Sequence, residues 1–147
     1  MRTIRIGGTI RRPVEDVFAV LSDPENAPKW SPNAVEEELT SPRPVQVGST
    51  RRAVVRTLGK GTAENHAVCT AFELNRRIAW RSTSAPVPFE VTVDFTPIDG
   101  ATRVDSVWTW VPKGLLRPIA PLLDLMFKRA MQQDVDGLRR MMEAQEL

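Results

Sequence analysis

The C-terminal segment has the apolar periodicity of one long helix, and a long run of strand-like segments precedes it. Together these two features restrict the possible folds most. From Ile119 to about Ala144, apolar residues recur with the period of one helix face: Leu123, Phe127, Met131, Val135, Leu138 and Met142. At 1.5 Å per residue, a helix of that length spans about 40 Å and needs a broad surface to pack on. The segment from Val45 to Val111 alternates as short strands do, so we expect a curved antiparallel sheet around the helix, with a hollow between them.

Length and composition narrow the classes of protein that this chain can belong to. A chain of 147 residues fits one domain, residues 1–147. Its 20 basic and 18 acidic residues are scattered, which argues against nucleic acid binding. No stretch has the length and apolarity of a membrane span or a signal peptide, so we expect a soluble, cytoplasmic protein. Cys69 and His66 are each the only residue of their kind, so we expect neither a metal site nor a cofactor.

The first third of the chain predicts one strand and two short helices. Thr3 to Ile10 alternates apolar and polar residues as a half-buried strand does. Pro13 then begins a helix, with an apolar face that includes Val17 and Phe18. A second, brief helix lies between Pro24 and Pro32 and ends near Trp30.

Six further strands are predicted before the last helix. They are Val35–Leu39, Thr50–Leu58, a return strand to about Phe72 after the Gly59–Gly61 turn, a strand around Ile78 and Trp80, a strand from Phe89 to Phe95, and a strand through Val104 to Trp110 after the Asp99–Gly100 turn. In the return strand, the alternation turns Ala67, Cys69 and Ala71 inward and Glu64, His66 and Thr70 outward.

Several motifs occur along the chain in a recognisable order. They are Arg12-Pro13-Val14-Glu15-Asp16-Val17-Phe18, Trp30 with Pro32, Val47-Gly48-Ser49-Thr50, and Ala101-Thr102-Arg103-Val104. Together they resemble the polyketide cyclase/dehydrase-like (SRPBCC) branch of the START-like, Bet v 1-like helix-grip superfamily. The resemblance implies an α+β fold in which a curved antiparallel seven-stranded sheet wraps around a long C-terminal helix, with two short helices after strand 1. It also implies either a carrier of small hydrophobic molecules such as lipids or an aromatase/cyclase.

The alternation identifies a candidate lining for a ligand cavity between the sheet and the last helix. The lining is mostly aromatic and aliphatic, with three polar residues that could orient a ligand. Its members are Trp80, Phe89, Val91, Phe95, Ser106, Trp108, Trp110, Leu123, Phe127, Met131, Arg51 and Asn65. The two short helices and the loop from Ser84 to Pro88 are the expected gate of the cavity.

Three functions remain open on the sequence alone. The first is a binding or carrier module for a small hydrophobic molecule. The second is a cyclase or dehydratase that acts on a ketone-bearing substrate, although no acid or base is evident on the inner face and His66 should point outward. The third is a protein-interaction module, a homodimer included, that docks through Met141 and Met142. Arg52, Arg56, Arg77 and Arg81 should form an outer, solvated stripe.

Overall fold

The computed structural model describes residues 1–57 and 59–147, and these residues form seven strands and three α-helices. In chain order they are β1 (Arg2–Ile10), α1 (Val14–Leu21), a 3₁₀ turn (Pro24–Asn26), α2 (Ala27–Trp30), β2 (Ala34–Leu39), β3 (Thr50–Arg56), β4 (Thr62–Glu73), β5 (Arg77–Ser84), β6 (Phe89–Ile98), β7 (Ala101–Trp110), a second 3₁₀ turn (Gly114–Leu116) and α3 (Ala120–Glu143). The predicted elements are all present. Leu58, the predicted end of β3, lies outside the described residues.

The seven strands form one antiparallel sheet in the order β1-β7-β6-β5-β4-β3-β2. The sheet curls into a half-barrel, and α3 runs along its concave side, which is the predicted helix-grip arrangement. The closing turns follow the sequence signals: Gly61 and Gly100 both have positive φ, a conformation that glycine adopts without steric cost.

One prediction of side-chain direction in β4 is wrong. Cys69 lies opposite Trp80, but the register then shifts, so that Ala71 faces Ala79 and Phe72 faces Ile78. Such a bulge reverses the alternation beyond it. Phe72, rather than Ala71, therefore packs against the core, with its ring centroid 5.4 Å from that of Phe18.

The described residues bury two separate apolar clusters. The larger one joins α1 and the end of α3 to the middle of the sheet: Ile10, Val17, Phe18, Ala67, Cys69, Ile78, Trp80, Val93, Phe95, Val104, Leu138 and Met142. The smaller one joins the start of α3 to β1 and the end of β7: Ile4, Trp110, Ala120 and Leu123. Ser106 lies where the two clusters meet, because its partner Val93 on β6 belongs to the larger cluster and its partner Ile6 on β1 packs against the smaller one.

Two glycines let α3 approach its neighbours closely. A Cβ on Gly137 would lie 2.6 Å from the carbonyl oxygen of Trp30, so the helix can cross α2 only without a side chain there. At Gly8 in β1, a Cβ would lie 3.3 Å from Cγ1 of Val135. These contacts hold the second half of α3 against α2 and β1, and they fix where the helix lies over the sheet.

Candidate ligand-binding site

The predicted lining residues of the sheet share its concave side and follow one another across neighbouring strands. Trp80 on β5 lies opposite Val91 on β6, and Val91 lies opposite Trp108 on β7. Phe89 is paired with Trp110, and Ser106 with Val93. The alternation within each strand brought these residues to one face, as predicted.

The aromatic residues near the start of α3 form a tight group. Phe127 from the helix meets both tryptophans edge to face, at 5.3 Å from Trp108 and 5.1 Å from Trp110. Trp110 is completely buried, and its Nε1 donates to Oδ1 of Asp124 at 2.8 Å. Trp110 is thus fixed inside the smaller cluster, and Trp108 packs beside it.

Exposure divides the predicted lining into two sets. Trp80, Phe95, Trp110 and Leu123 are buried in the clusters. The second set faces the interior but remains only half-buried: Phe89, Val91, Ser106, Trp108, Phe127 and Met131. The Ser106 hydroxyl makes no side-chain hydrogen bond within residues 1–57 and 59–147, and it sits at the boundary between the two clusters.

A buried ion pair forms the polar end of the concave face. Arg51 on β3 points inward as predicted, and its Nη1 donates to Oε1 of Glu37 on β2. Only 13% of the Arg51 side chain and 9% of the Glu37 side chain are exposed. The guanidinium carbon lies 4.8 Å from the ring centroid of Trp80, so the cation also stacks on the indole. Arg51 therefore connects the polar end to the aromatic row.

Glu37 corrects the prediction that the inner face carries no acid. It was overlooked because it is the middle one of three consecutive glutamates, Glu36 to Glu38, which suggest a solvated strand. The signal was its parity with Leu39, which packs against the larger cluster. The inner face therefore carries an acidic residue, Glu37, which accepts a hydrogen bond from Arg51, the arginine predicted to point inward.

Two carboxyl groups at this end have raised pKa values. Burial raises the pKa of Glu37; the charge and hydrogen bond of Arg51 oppose this, while the negative charge of Asp134 on α3 adds to it. Burial also raises the pKa of Asp134, although Oδ1 accepts hydrogen bonds from Ser31 at 2.7 Å and from Asn33 at 3.0 Å. Both groups can thus hold a proton nearer to neutral pH than ordinary carboxyls do.

Three buried polar atoms have no hydrogen-bond partner among the described residues. They are Nε of Arg51, Oδ1 of Asn65 and Nε1 of Trp30. Asn65 lies opposite Ala53, one inward position away from the Arg51–Ala67 pair, so its side chain shares the face of Arg51. Leaving such a group unpaired costs about 1–3 kcal/mol, and a partner that meets it would recover that energy.

The remaining candidates lie where the sequence placed them. His66 is on the outer face, with Nε2 3.0 Å from Oε2 of Glu64. Cys69 is buried, its Sγ donates to the carbonyl of Ala71, and burial raises its pKa. The outer arginines include Arg52 and Arg77, which form ion pairs with acidic residues on neighbouring strands.

The Met-rich end of α3 does not have the exposure that the interaction hypothesis required. Met142 is completely buried in the larger cluster, and Met141 is half-buried. Met142 is therefore not available for docking, because it already fills the core beneath α1.

Open grooves on the outside of the described part of the chain include two of similar volume. One, of about 490 Å³, runs along the outer side of α3 from Leu125 to Asp136. The other, of about 510 Å³, lies between the end of α1, the segment from Arg43 to Val45, and Phe72. Neither groove is lined by the residues that the alternation predicts for ligand binding.

The sequence matches one protein family over nearly its whole length. The profile of the family described as polyketide cyclase / dehydrase and lipid transport matches residues 1–143. An uncharacterized protein of Mycobacterium tuberculosis is 31% identical over 140 residues, which cover 88% of this chain and 78% of that protein. No helix in the described parts of the chain has the length and apolarity needed to cross a membrane.

Solved structures share the architecture at low sequence identity. The Zhui aromatase/cyclase from Streptomyces sp. R1128 is 17% identical, with a TM-score of 0.80 over 93% of this chain and 90% of that chain. A START superfamily protein from Mycobacterium smegmatis is 14% identical, with a TM-score of 0.70 over 92% of this chain and 98% of the other. At these identities the likeness shows the fold, and fold and family together support a ligand-binding domain.

Proposed function

Because the chain belongs to the polyketide cyclase / dehydrase and lipid transport family, we propose that it binds a small, mostly apolar molecule between the sheet and α3. The observation that carries this proposal is the half-buried state of facing residues such as Val91, Trp108 and Met131. Side chains that face each other across a solid core lose nearly all contact with solvent. Partial exposure on both sides supports a space between the two clusters, with Ser106 at its edge.

The polar end favours a neutral ligand group over an anionic one. The charge of Arg51 is already balanced by Glu37, and Asp134 adds a second carboxyl close enough to shift the pKa of Glu37. A ligand carboxylate would bring further negative charge into a poorly solvated region. A hydroxyl or enol could instead accept from Nε of Arg51 and donate to Oδ1 of Asn65, the two atoms that lack partners.

Calorimetric titration with 2-naphthol and 2-naphthoate tests this preference, because the two probes share one ring system and differ in charge. We expect 2-naphthol to bind about five- to tenfold more tightly, as one satisfied buried hydrogen bond is worth about 1–1.5 kcal/mol. Asn65→Leu should reduce the difference, since it removes the unpaired acceptor. Tighter binding of 2-naphthoate would contradict the assignment of a neutral group, and no binding of either probe would count against the cavity.

Ser106→Leu tests the position of the cavity independently of its polar end. The larger side chain would enter the boundary between the two clusters, where the hydroxyl makes no side-chain hydrogen bond within the described residues. We expect 2-naphthol binding to be lost while the circular dichroism spectrum and thermal midpoint are kept. Unchanged affinity would remove Ser106 from the site.

A second candidate function is proton transfer on a ketone-bearing substrate, and the raised pKa of Glu37 favours it. In this alternative, Arg51 would orient a carbonyl oxygen, and the Glu37 carboxyl would supply or accept the proton needed for dehydration or ring closure. Glu37→Gln keeps the shape and one acceptor oxygen for Arg51 but cannot transfer a proton. Loss of turnover by about 100-fold or more with intact binding would support the enzyme, whereas unchanged turnover would exclude Glu37 as its acid or base.

A further inference from the structure

The first turns of α3 and the segment before it present large apolar side chains to the solvent. Leu115 is 93% exposed and Leu125 is 68% exposed, and the same surface includes Ile119, Leu122 and Met126. Leu122, Leu125 and Met126 follow the three- and four-residue spacing of one helix side. Leu123 on the other side of these turns is buried, so the start of α3 carries apolar side chains on its solvent side as well, and nothing among residues 1–57 and 59–147 covers them. We call these five residues the apolar tip.

Positive charge surrounds the apolar tip. Lys113 and Arg117 precede α3, and Lys128 and Arg129 follow the tip along the helix; all four are exposed. Within residues 1–57 and 59–147, no acidic side chain lies within ion-pair distance of these four cations. The one acid between them in sequence, Asp124, is turned inward onto Arg2 and Trp110.

We propose that the apolar tip and its four cations form a docking surface for the headgroup region of an anionic lipid bilayer. An apolar helix side that carries leucine and methionine and is flanked by lysine and arginine has the composition of segments that lie in the membrane interface. Each cation near an anionic surface strengthens binding roughly fivefold. The charges therefore decide which bilayer is bound, and the leucines decide how firmly.

A second copy of the chain fits this surface poorly. A two-fold dimer places the same patch on itself, so the four cations of one protomer would face the four cations of the other. Such a like-charge contact is repulsive, and Asp124, the one acid in sequence between Lys113 and Arg129, is turned inward onto Arg2; the exposed acid on this side of the helix, Asp136, lies about two turns beyond Arg129. The charge pattern thus favours an extended negative surface over self-association.

The docking surface adjoins the loop predicted to gate the cavity. Val87 packs with Leu116 against the smaller cluster, and the N–H of Val111 donates to the carbonyl of Pro88 at 3.4 Å. A docked molecule would present this loop to the bilayer. This consequence rests on the proposed ligand binding, but the docking surface itself does not.

Vesicle co-sedimentation tests the proposal with the full chain. We expect the protein to pellet with vesicles of phosphatidylcholine and phosphatidylserine, to remain in solution with vesicles of phosphatidylcholine alone, and to be released by salt. Leu122→Ser with Leu125→Ser should weaken pelleting because apolar contact is lost. Lys128→Gln with Arg129→Gln should weaken it by roughly 25-fold at about fivefold per charge.

Matched control variants come from the turn between β4 and β5. Leu74 is 71% exposed and Arg76 is also exposed, so Leu74→Ser and Arg76→Gln remove the same chemistry from another surface. These controls should pellet as the original chain does, and 2-naphthol titration should be unchanged in every variant. Failure of the original chain to pellet with anionic vesicles, or equal effects of tip and control variants, would overturn the proposal. The proposal would also be overturned if the original chain did not bind vesicles, light scattering showed it to be a dimer, and Leu122→Ser with Leu125→Ser dissociated that dimer.

Discussion

Replacing Arg51 by methionine (Arg51→Met) tests whether Glu37 is held ionised inside the protein by its neighbour. In the native protein, the charge of Arg51 and its hydrogen bond to Glu37 oppose the upward shift that burial imposes on the pKa of Glu37. Methionine removes both effects and keeps most of the apolar stem. The Glu37 carboxyl of the variant should therefore titrate at a still higher pH in the folded state.

The sign of the resulting pH dependence follows from proton linkage. A carboxyl whose folded pKa lies above its unfolded value of 4.5 stabilises the fold below that value. This stability is lost as the pH rises through the folded pKa, at up to about 1.4 kcal/mol per pH unit. We expect Arg51→Met to cost about 3–5 kcal/mol near pH 8, the usual cost of breaking a buried pair, and about 2 kcal/mol less near pH 5.

Urea unfolding followed by tryptophan fluorescence measures both free energies. Glu37→Gln is the complementary variant, in which Arg51 stays charged but the titrating carboxyl is gone. This variant lacks the stability that native Glu37 contributes at low pH. The loss in free energy of unfolding that it causes should therefore shrink as the pH rises. Arg77→Met is the matched control, because the Arg77–Asp94 pair is exposed and should contribute less than about 1 kcal/mol. An Arg51→Met cost that is equal at both pH values, or larger near pH 5, would refute this reasoning.

Three further substitutions test the fold and the assignment of faces. Gly137→Ala should lower the free energy of unfolding by about 1–3 kcal/mol despite the helix preference of alanine, because its Cβ would meet the Trp30 carbonyl; stabilisation in urea unfolding would show that α3 can shift. Thr102→Val should cost about 1–3 kcal/mol in the same assay, because it removes the buried 2.9 Å bond to the carbonyl of Arg12 and leaves that acceptor unpaired. His66→Ala should leave 2-naphthol binding and any turnover unchanged; a loss of turnover of about 100-fold would place His66 in the site.

The periodicity of the sequence was sufficient to predict the elements and most side-chain directions. Strand alternation turned Arg51 and Trp108 inward, and the structure has both there. It also turned His66 outward, where it contacts Glu64. These predictions succeed because a strand has only two faces, and burial of apolar side chains selects between them.

The predictions failed where an interaction between distant segments changes a local rule. The bulge beyond Cys69 turns Phe72 inward in place of Ala71, because the register of β4 is decided by its partner β5. The sequence neighbours of Glu37 suggest a solvated side chain, whereas the side chain is buried in contact with Arg51. Local composition carries no information about either partner.

By itself, the sequence determined the order of helices and strands, the inward set of aromatic residues and the family, because these depend on short-range periodicity and on motifs that are contiguous in the chain. Only the tertiary structure decided that Arg51 is neutralised by Glu37, that Met142 is buried in the core, and that Leu122 and Leu125 are exposed to solvent. These facts arise from the energy of bringing a charge or an apolar surface next to a segment far away in the chain. That energy is fixed only when the sheet has curled around the helix.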